Sequence, residues 1–425
     1  MLDIKFIREH PDKVKDSLLK KGVDTKLVDE LIKADQDWRD WLGQLEGAQA
    51  NLNALSDLIA RAKKRGNTDQ VKLAEQQARE AKVRIPELEA SVRKKRERME
   101  HFFPQLPNFP LPDVPEGGVE ANRVIREVGE QPRFDFEPKD YLTIAGALDL
   151  IDIERAAKVA GSRFGYLKRE AALLEFALVR YAFDTLLPEG FIPVVPPVML
   201  RAEHFRAIGR IPPGQEEERY FLPADTLYLA GSAEHTLAPM HADETLDEEG
   251  LPLRYLAFST CFRREAGSYG KDTRGILRVH QFDKVEMFSF VRPEDGEAEL
   301  ERLVGWQEKL MAGLGLPYRV MLIAAGDMGW PDAKLYDIET WLPGQGQYRE
   351  THSASTTTDY QSRGTNTRYR TPGGETRFVH TLNATALAIG RTIIAVLENY
   401  QQQDGSIRIP EVLLPYMHGI REIRR

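Results

Sequence analysis

The stretch FRREAGSYGKDTRGILRVHQF, Phe262 to Phe282, sets Arg263, Arg264 and Arg278 around Glu265, with Gly267, Gly270 and Gly275 between them. Arginines on strand-like ends suit bidentate recognition of a phosphate or carboxylate. In a strand alternate residues share a face, so Arg263 and Glu265 point one way and Arg264 the other. An antiparallel return brings Arg278, Val279 or Phe282 close to them. The connecting segment Ala266–Ile276, with Lys271, Asp272 and Arg274, is long for a hairpin and reads as a mobile, charged flap. The plainer alternative is a structural ion pair between Arg263 and Glu265.

Such a site needs a frame. Leu31, Ala34, Trp38, Trp41, Leu45, Ala48, Leu52, Leu55, Ile59 and Ala62 alternate three and four apart, and so do Val71, Ala74, Ala78, Ala81, Ile85, Leu88 and Val92. RGNTDQ (Arg65–Gln70) separates the two stripes. The pattern predicts an antiparallel coiled-coil hairpin over about residues 27–100, with Pro86 bending its second helix. Its far end is basic: Arg61, Lys63, Lys64, Arg65, Lys72 and Arg79. This is either a solvated face or an arm that holds a phosphate backbone. Residues 1–103 form the N-terminal domain. PQLPNFPLPDVPEGG, residues 104–118, reads as a linker. Residues 119–425 mix short apolar strands with helical runs at Glu170–Leu187, Glu297–Gly313 and Thr385–Gln401. The fold class is α+β, with an antiparallel sheet flanked by helices.

Composition narrows the function. Net charge is −8, so nucleic-acid binding must come from a local patch. Cys261 is the one cysteine, which excludes an internal disulfide and a cysteine-based zinc site and fits a cytoplasmic protein. The charged start MLDIKFIREH lacks the apolar region of a signal peptide, and no apolar run reaches the roughly 18 residues of a membrane span.

Three segments, in order, resemble the signature motifs of class II aminoacyl-tRNA synthetases. They are GFIPVVPPVML (Gly190–Leu200), with Pro197; Phe262-Arg263-Arg264-Glu265 with His280-Gln281-Phe282; and Gly390-Arg391 opening a helical run. GSAEHTL, HQFDKVEMF, RETHSASTTTDYQSR and LNATALAIGRTIIAVLENYQ narrow the resemblance to bacterial-type seryl-tRNA synthetases, arm included. The resemblance covers essentially the whole chain. It implies ATP-dependent activation of L-serine to seryl-adenylate, then transfer to the 3′ end of serine tRNA, and of selenocysteine tRNA where present. It also implies a homodimer.

By the same resemblance, Arg263 holds the α-phosphate and the serine carboxylate. Arg391 clamps the γ-phosphate and covers an adenine that Phe282 stacks from the other side. Glu265 reads the adenine amino group. Arg264, Val279, Thr351 and His352 complete the ATP site, and Glu350 and Ser353 hold Mg²⁺; no zinc is expected. Residues alone leave Glu350 open to a plainer reading, a surface acid beside Arg349. Ser232, Ala233, Glu234, Glu286, Asn383 and Thr385, with Arg263, form the serine site, and Arg263, Arg391 and Glu286 are the catalytic set. The basic end of the arm contacts tRNA. A pocket that hydrogen-bonds the substrate hydroxyl rejects alanine strongly, so no editing domain is required. Two departures stand out. The family's T-x-E is Ser232-Ala233-Glu234 here, and Thr385 stands where many members carry serine. The alternatives are a seryl-adenylate ligase that loads a carrier protein, which would lack the arm; a non-catalytic RNA-binding paralogue, which would be expected to lose Arg263, Glu286, Glu350 or Arg391; and a class II enzyme for another amino acid.

Overall fold

The computed structural model describes residues 1–212, 214–265 and 274–425. The flap reading, with Lys271 and Asp272, therefore lies mostly outside the described residues. The chain forms two compact units, one of residues 2–106 and one of residues 107–425 together with Met1.

In the smaller unit two short helices, Ile4–Glu9 and Pro11–Lys20, precede α1 (Lys26–Lys64) and α2 (Thr68–Glu100). The heptad positions close the seam: Leu31, Ala34, Leu45, Leu55 and Ala62 are buried, as are Ala74, Ala78, Leu88 and Met99. Gly66 leaves α1 in a left-handed conformation (φ +69), which glycine adopts without steric cost. The side chain of Asn67 then caps α2 by accepting from the Gln70 amide at 3.1 Å. The break is thus shorter than the turn-forming sequence implied. Helix α2 runs on through Pro86 as one helix. Interhelical ion pairs at Lys63–Glu75 (2.9 Å) and Asp37–Lys95 (3.1 Å) match the antiparallel pairing.

The larger unit is built on an eight-stranded sheet. Its strands are β1 (Arg123–Val128), β2 (Ile192–Val194), β3 (Leu253–Phe262), β4 (Gln281–Val291), β5 (Tyr318–Leu322), β6 (Lys334–Leu342), β7 (Gln347–Thr356) and β8 (His380–Ala388). They lie in the order β1-β5-β6-β7-β8-β4-β3-β2. Every pairing is antiparallel except that of edge strand β2 with β3. Helices α3 (Arg169–Leu186), α4 (Gly296–Gly313) and α5 (Ile389–Asn399) pack Leu174, Leu178, Leu303, Leu310, Ile393 and Leu397 against Val285, Met287 and Ala384 of the sheet. Strand alternation then puts Phe282, Lys284 and Glu286 on the opposite face. Helix α5 begins at Ile389, because Thr385–Ala388 finishes β8. A strand buried on both faces carries no alternation to separate it from a helix.

Glu299 on α4 is fully buried. It accepts from Arg254 (2.6 and 2.7 Å), Arg302 (2.9 Å) and Ser289 Oγ (2.9 Å), tying the helix to β3 and β4.

The proline-rich stretch belongs largely to the larger unit. The Asn108 amide donates to Pro331 O (2.9 Å) and Thr357 O (2.7 Å), Leu111 N donates to Ala333 O, and Val114 is buried against Met321 and Ile323. Proline disfavours both helix and ladder, so the extended chain lies along the sheet's loops. The boundary falls between Leu106 and Pro107 rather than across residues 104–118.

Candidate active site

The central strands bring their polar residues together by register. Glu286 on β4 faces Thr385 on β8, Ser355 on β7 faces Asn383, and Ser353 faces Asp337 on β6. Arg263 lies one residue beyond β3. Its amide donates to His280 O (2.9 Å), its Nε donates to Gly231 O (3.2 Å), and its guanidinium stands 5.3 Å from the centre of the Phe282 ring. Glu265, at φ +53, is paired with Arg278 at 3.0 Å. Arg264 turns outward, over the Tyr220 ring at 5.6 Å.

Arg391, near the start of α5, donates to Glu350 O at 2.9 Å and lies 3.2 Å from Glu350 Oε1. A cavity of about 100 Å³ collects Arg263, Glu265, Val279, Phe282, Glu350, Ser353 and Arg391. Thr351 lines it too, but the Thr351 hydroxyl is engaged with Thr340 Oγ1 at 2.7 Å. The His352 ring is buried and hydrogen-bonded to Thr351 Oγ1, and burial lowers it to about 4. It is a neutral group that does not line this cavity.

A larger cavity, about 900 Å³, shares Arg263, Glu350 and Ser353 and extends over Ser232, Glu234, Lys284, Ser355 and Asn383. Glu286 is buried beside it, with Oε2 2.6 Å from Lys284 Nζ but without hydrogen-bond alignment. Burial pushes the Glu286 carboxyl up, and Lys284 opposes the rise. Lys284 Nζ also reaches Thr385 Oγ1 at 3.4 Å. Ser232 Oγ accepts from the Glu234 amide at 3.2 Å, whereas Ala233 is packed in a core cluster.

Sequence reasoning missed several residues here. Arg210, Arg219, Asp332 and Asp337 all line the larger cavity. Burial, then Arg263 and Arg210, lowers Arg219 to about 10. His235 is held neutral by burial and then by Arg219, Arg210 and Arg263, accepting the Gly231 amide at Nδ1 (3.0 Å). Only Lys284 carried a signal, since alternation from Phe282 to Glu286 puts it on the site face.

Desolvation by the cleft walls pushes the Glu350 carboxyl up. Arg391 and Arg263 outweigh it and hold the group below its ordinary value. Asp337 is driven well up, first by burial and then by Glu350, Glu339 and Asp327. Glu350, Asp337 and Ser353 line the same cavity, and two carboxylates with a hydroxyl are oxygen donors of the kind that suits a hard, oxygen-seeking cation. Among the described residues no group of three or more His, Cys, Asp or Glu converges on one metal position.

Behind Phe282 a separate cavity of about 400 Å³ holds Glu175 of α3 against Asp283 of β4. Burial, then Asp283, pushes Glu175 up to about 7.

Residues 221–400 match the family described as tRNA synthetase class II core domain (G, H, P, S and T), and residues 1–110 match the seryl-tRNA synthetase N-terminal domain. The chain is 44% identical over 420 residues to the serine–tRNA ligase of Clavibacter sepedonicus, covering 99% of this chain and 97% of that protein. It is 45% identical over 427 residues to the serine–tRNA ligase of Dictyoglomus turgidum, covering 100% and 99%. The fold is similar to the crystal structure of seryl-tRNA synthetase from Pyrococcus horikoshii complexed with ATP. That likeness has a TM-score of 0.93 and 42% identity, and covers 100% of this chain and 99% of that one.

Proposed function

The chain belongs to the seryl-tRNA synthetase family, and from that premise we propose how its cleft carries out the family's two steps. L-Serine and ATP give seryl-adenylate and pyrophosphate, and the seryl group then passes to the 3′ end of serine tRNA. The observation that carries this reading is the convergence of Arg263, Arg391, Phe282 and Glu350 on one cavity, which opens beside a second holding Ser232, Glu234 and Asn383.

In the first step Arg263, at the junction of the two cavities, grips the α-phosphate and the serine carboxylate. A carboxylate oxygen bonds to the α-phosphorus as the bridging bond to the β-phosphate breaks, and pyrophosphate leaves. Arg263 neutralises charge that builds during this displacement, which is electrostatic and positional catalysis. Arg391 holds the γ-phosphate and covers the adenine from the side opposite Phe282. Glu265, steadied by Arg278, accepts from the adenine amino group. Val279 walls this site, Arg264 contacts the nucleotide from its outer side, and Thr351 and His352 contribute backbone, since their side chains are bonded to one another. Glu350 and Ser353 would hold Mg²⁺, which when bound neutralises phosphate charge. Glu234 receives the serine ammonium, and Glu286, Asn383 and Thr385 read the remaining polar groups of serine. In the second step a hydroxyl of the terminal tRNA adenosine attacks the seryl carbonyl and AMP leaves.

The basic end of the arm contacts tRNA phosphates. The protein works as a homodimer in the cytoplasm. Among the described residues β2 is left unpaired on its outer side, and that edge with the exposed Phe176, Ile192 and Val195 supports the dimer. Among the described residues no helix is long and apolar enough to cross a membrane. ATP–pyrophosphate exchange tests the adenylation reading: L-serine drives it, and threonine or alanine at the same concentration does not. Comparable exchange with either would refute the serine site.

A further inference from the structure

Strands β7 and β8 run together over only part of their length. Among the described residues their ladder ends at the pair Ala354–Ala384, and Ser353 and Thr385 are the next residue on each strand. Both strands carry an extra residue just beyond. Thr351 is passed over in the pairing of β7 with β6, and Ala386 in the pairing of β8 with β4. Such bulges bend a strand and end its pairing. The ends that part line the smaller cavity, with Glu350, Thr351 and Ser353 on one side and Thr385 and Ala388 on the other. The split in the sheet therefore makes part of that cavity's wall.

One side chain spans the split from behind. Gln307 of α4 is fully buried, on the same helix face as the buried Leu303, Val304, Leu310 and Met311. Its Nε2 donates to Ser353 O (2.9 Å) and to Thr385 O (2.8 Å). Carbonyl oxygens only accept, so the nitrogen of the amide must face them. One amide group thus replaces the ladder at the first position where the ladder is missing. Among the described residues its Oε1 accepts no bond. A residue kept here for packing alone would be apolar, because an unpaired buried acceptor is costly. Helix α4 is itself tied to β3 and β4 through Glu299, which accepts from Arg254 and from Ser289 Oγ, so the bridge starts from an anchored helix.

We propose that Gln307 is a positioning residue for adenylation: by bridging the carbonyls of Ser353 and Thr385 across the split, it keeps the side chain that would hold Mg²⁺ in register with the side chain that reads serine. The inference rests on those two assignments, Ser353 to the cation and Thr385 to L-serine. Gln307 lines neither cavity and touches no reacting atom. It acts through two backbone carbonyls, and fixing a carbonyl fixes the direction of the side chain on the same residue. A shift of Thr385 would carry further, since its Oγ1 lies 3.4 Å from Lys284 Nζ, which lies 2.6 Å from Glu286 Oε2. Such a brace matters because a displacement of about 1 Å costs on the order of 10²-fold in rate.

The test measures pyrophosphate exchange by the full chain and its Gln307→Met, Gln307→Asn, Ser353→Ala and Thr385→Val variants. Serine and Mg²⁺ are titrated separately. AMP binding without Mg²⁺ is measured by calorimetry, and a melting curve confirms that each variant is folded at the assay temperature. Gln307→Met keeps the length of the side chain and removes both donated bonds. It lowers kcat about 10–100-fold and raises the serine KM and the half-saturating Mg²⁺ concentration together, each about 10-fold. AMP affinity stays within about twofold, because Phe282 on β4 and Glu265, paired with Arg278, lie outside the split. Gln307→Asn keeps the amide but draws it back by one methylene, so it recovers part of the loss. An unchanged serine KM or an unchanged Mg²⁺ requirement would overturn the proposal. A matching loss of AMP affinity would overturn it too, as the mark of general loosening. If Gln307→Met does not fold, Gln307→Asn decides by the same measurements. Should Ser353→Ala raise the Mg²⁺ requirement and Thr385→Val the serine KM while the Gln307 variants do neither, the positioning role falls and the two assignments stand. Should Ser353→Ala and Thr385→Val leave both values unchanged, the role and the assignments fall together.

Discussion

Replacing Lys64 and Arg65 together by alanine tests the arm against tRNA, and the structure sets the size of the effect. Arg61, Lys63, Lys64, Arg65, Lys72 and Arg79 are all exposed near the tip. Lys63 is already paired with Glu75 at 2.9 Å, so it brings little uncompensated charge to a phosphate. Each phosphate neutralised contributes about 0.7–0.9 to the slope of log affinity against log salt. Among the described residues the other five pair with no carboxylate, so they give a slope of about 3.5–4.5, and losing two lowers it by about 1.4–1.8. Between 0.05 and 0.2 M salt the intact arm should lose about 100–500-fold in tRNA affinity from these contacts, and the double variant only about 20–40-fold. Lys63→Ala should change the slope much less than either neighbour. Filter binding of serine tRNA across that salt range reads the slopes, with pyrophosphate exchange as the control, because no adenylation residue lies in the arm. Equal slopes for Lys63→Ala and Lys64→Ala, or a fall in exchange, would refute the reasoning.

Arg263→Ala and Arg391→Ala should fold normally and slow adenylation by two or more powers of ten, about 2.7 kcal/mol for each hundredfold; near-normal exchange by either would remove it from the phosphate site. Glu299→Gln should lower the unfolding free energy by about 3–5 kcal/mol in urea titrations, since it leaves Arg254 without its buried counter-charge; a change below about 1 kcal/mol, the worth of an exposed pair, would show that the cluster is solvated. Glu175 ionises at about 7 when folded and at its ordinary 4.5 when unfolded, so the folded chain holds the extra proton between those values. Its contribution to stability is full below 4.5 and is lost as pH rises towards 7 and above. Glu175→Gln should flatten melting temperature against pH across that window, and parallel curves would contradict the raised carboxyl.

The arm was legible because a heptad needs only spacing: every residue of both stripes is buried or half-buried. The convergence of Arg263, Phe282 and Arg391 was legible through the motif resemblance, although Arg263 proved to lie just past its strand. What stayed hidden depends on contacts distant in sequence. Arg210 and Gln361 come from segments without periodicity and meet Glu234 only when the sheet closes, as Asp332 meets Arg210. Pro107–Gly118 looked like a linker because its composition reports backbone stiffness, not the surface it lies on. Thr385–Ala388 looked helical because a run of small apolar residues fits a buried strand equally well.

Aminoacylation of total tRNA by the intact chain, with ATP, Mg²⁺ and each labelled amino acid in turn, tests the central claim most directly. The account predicts multiple turnovers with serine alone, with the label on serine tRNA. It also predicts that Arg263→Ala abolishes the signal. Turnover with another amino acid, or rapid formation of seryl-adenylate with no transfer to any tRNA, would contradict it.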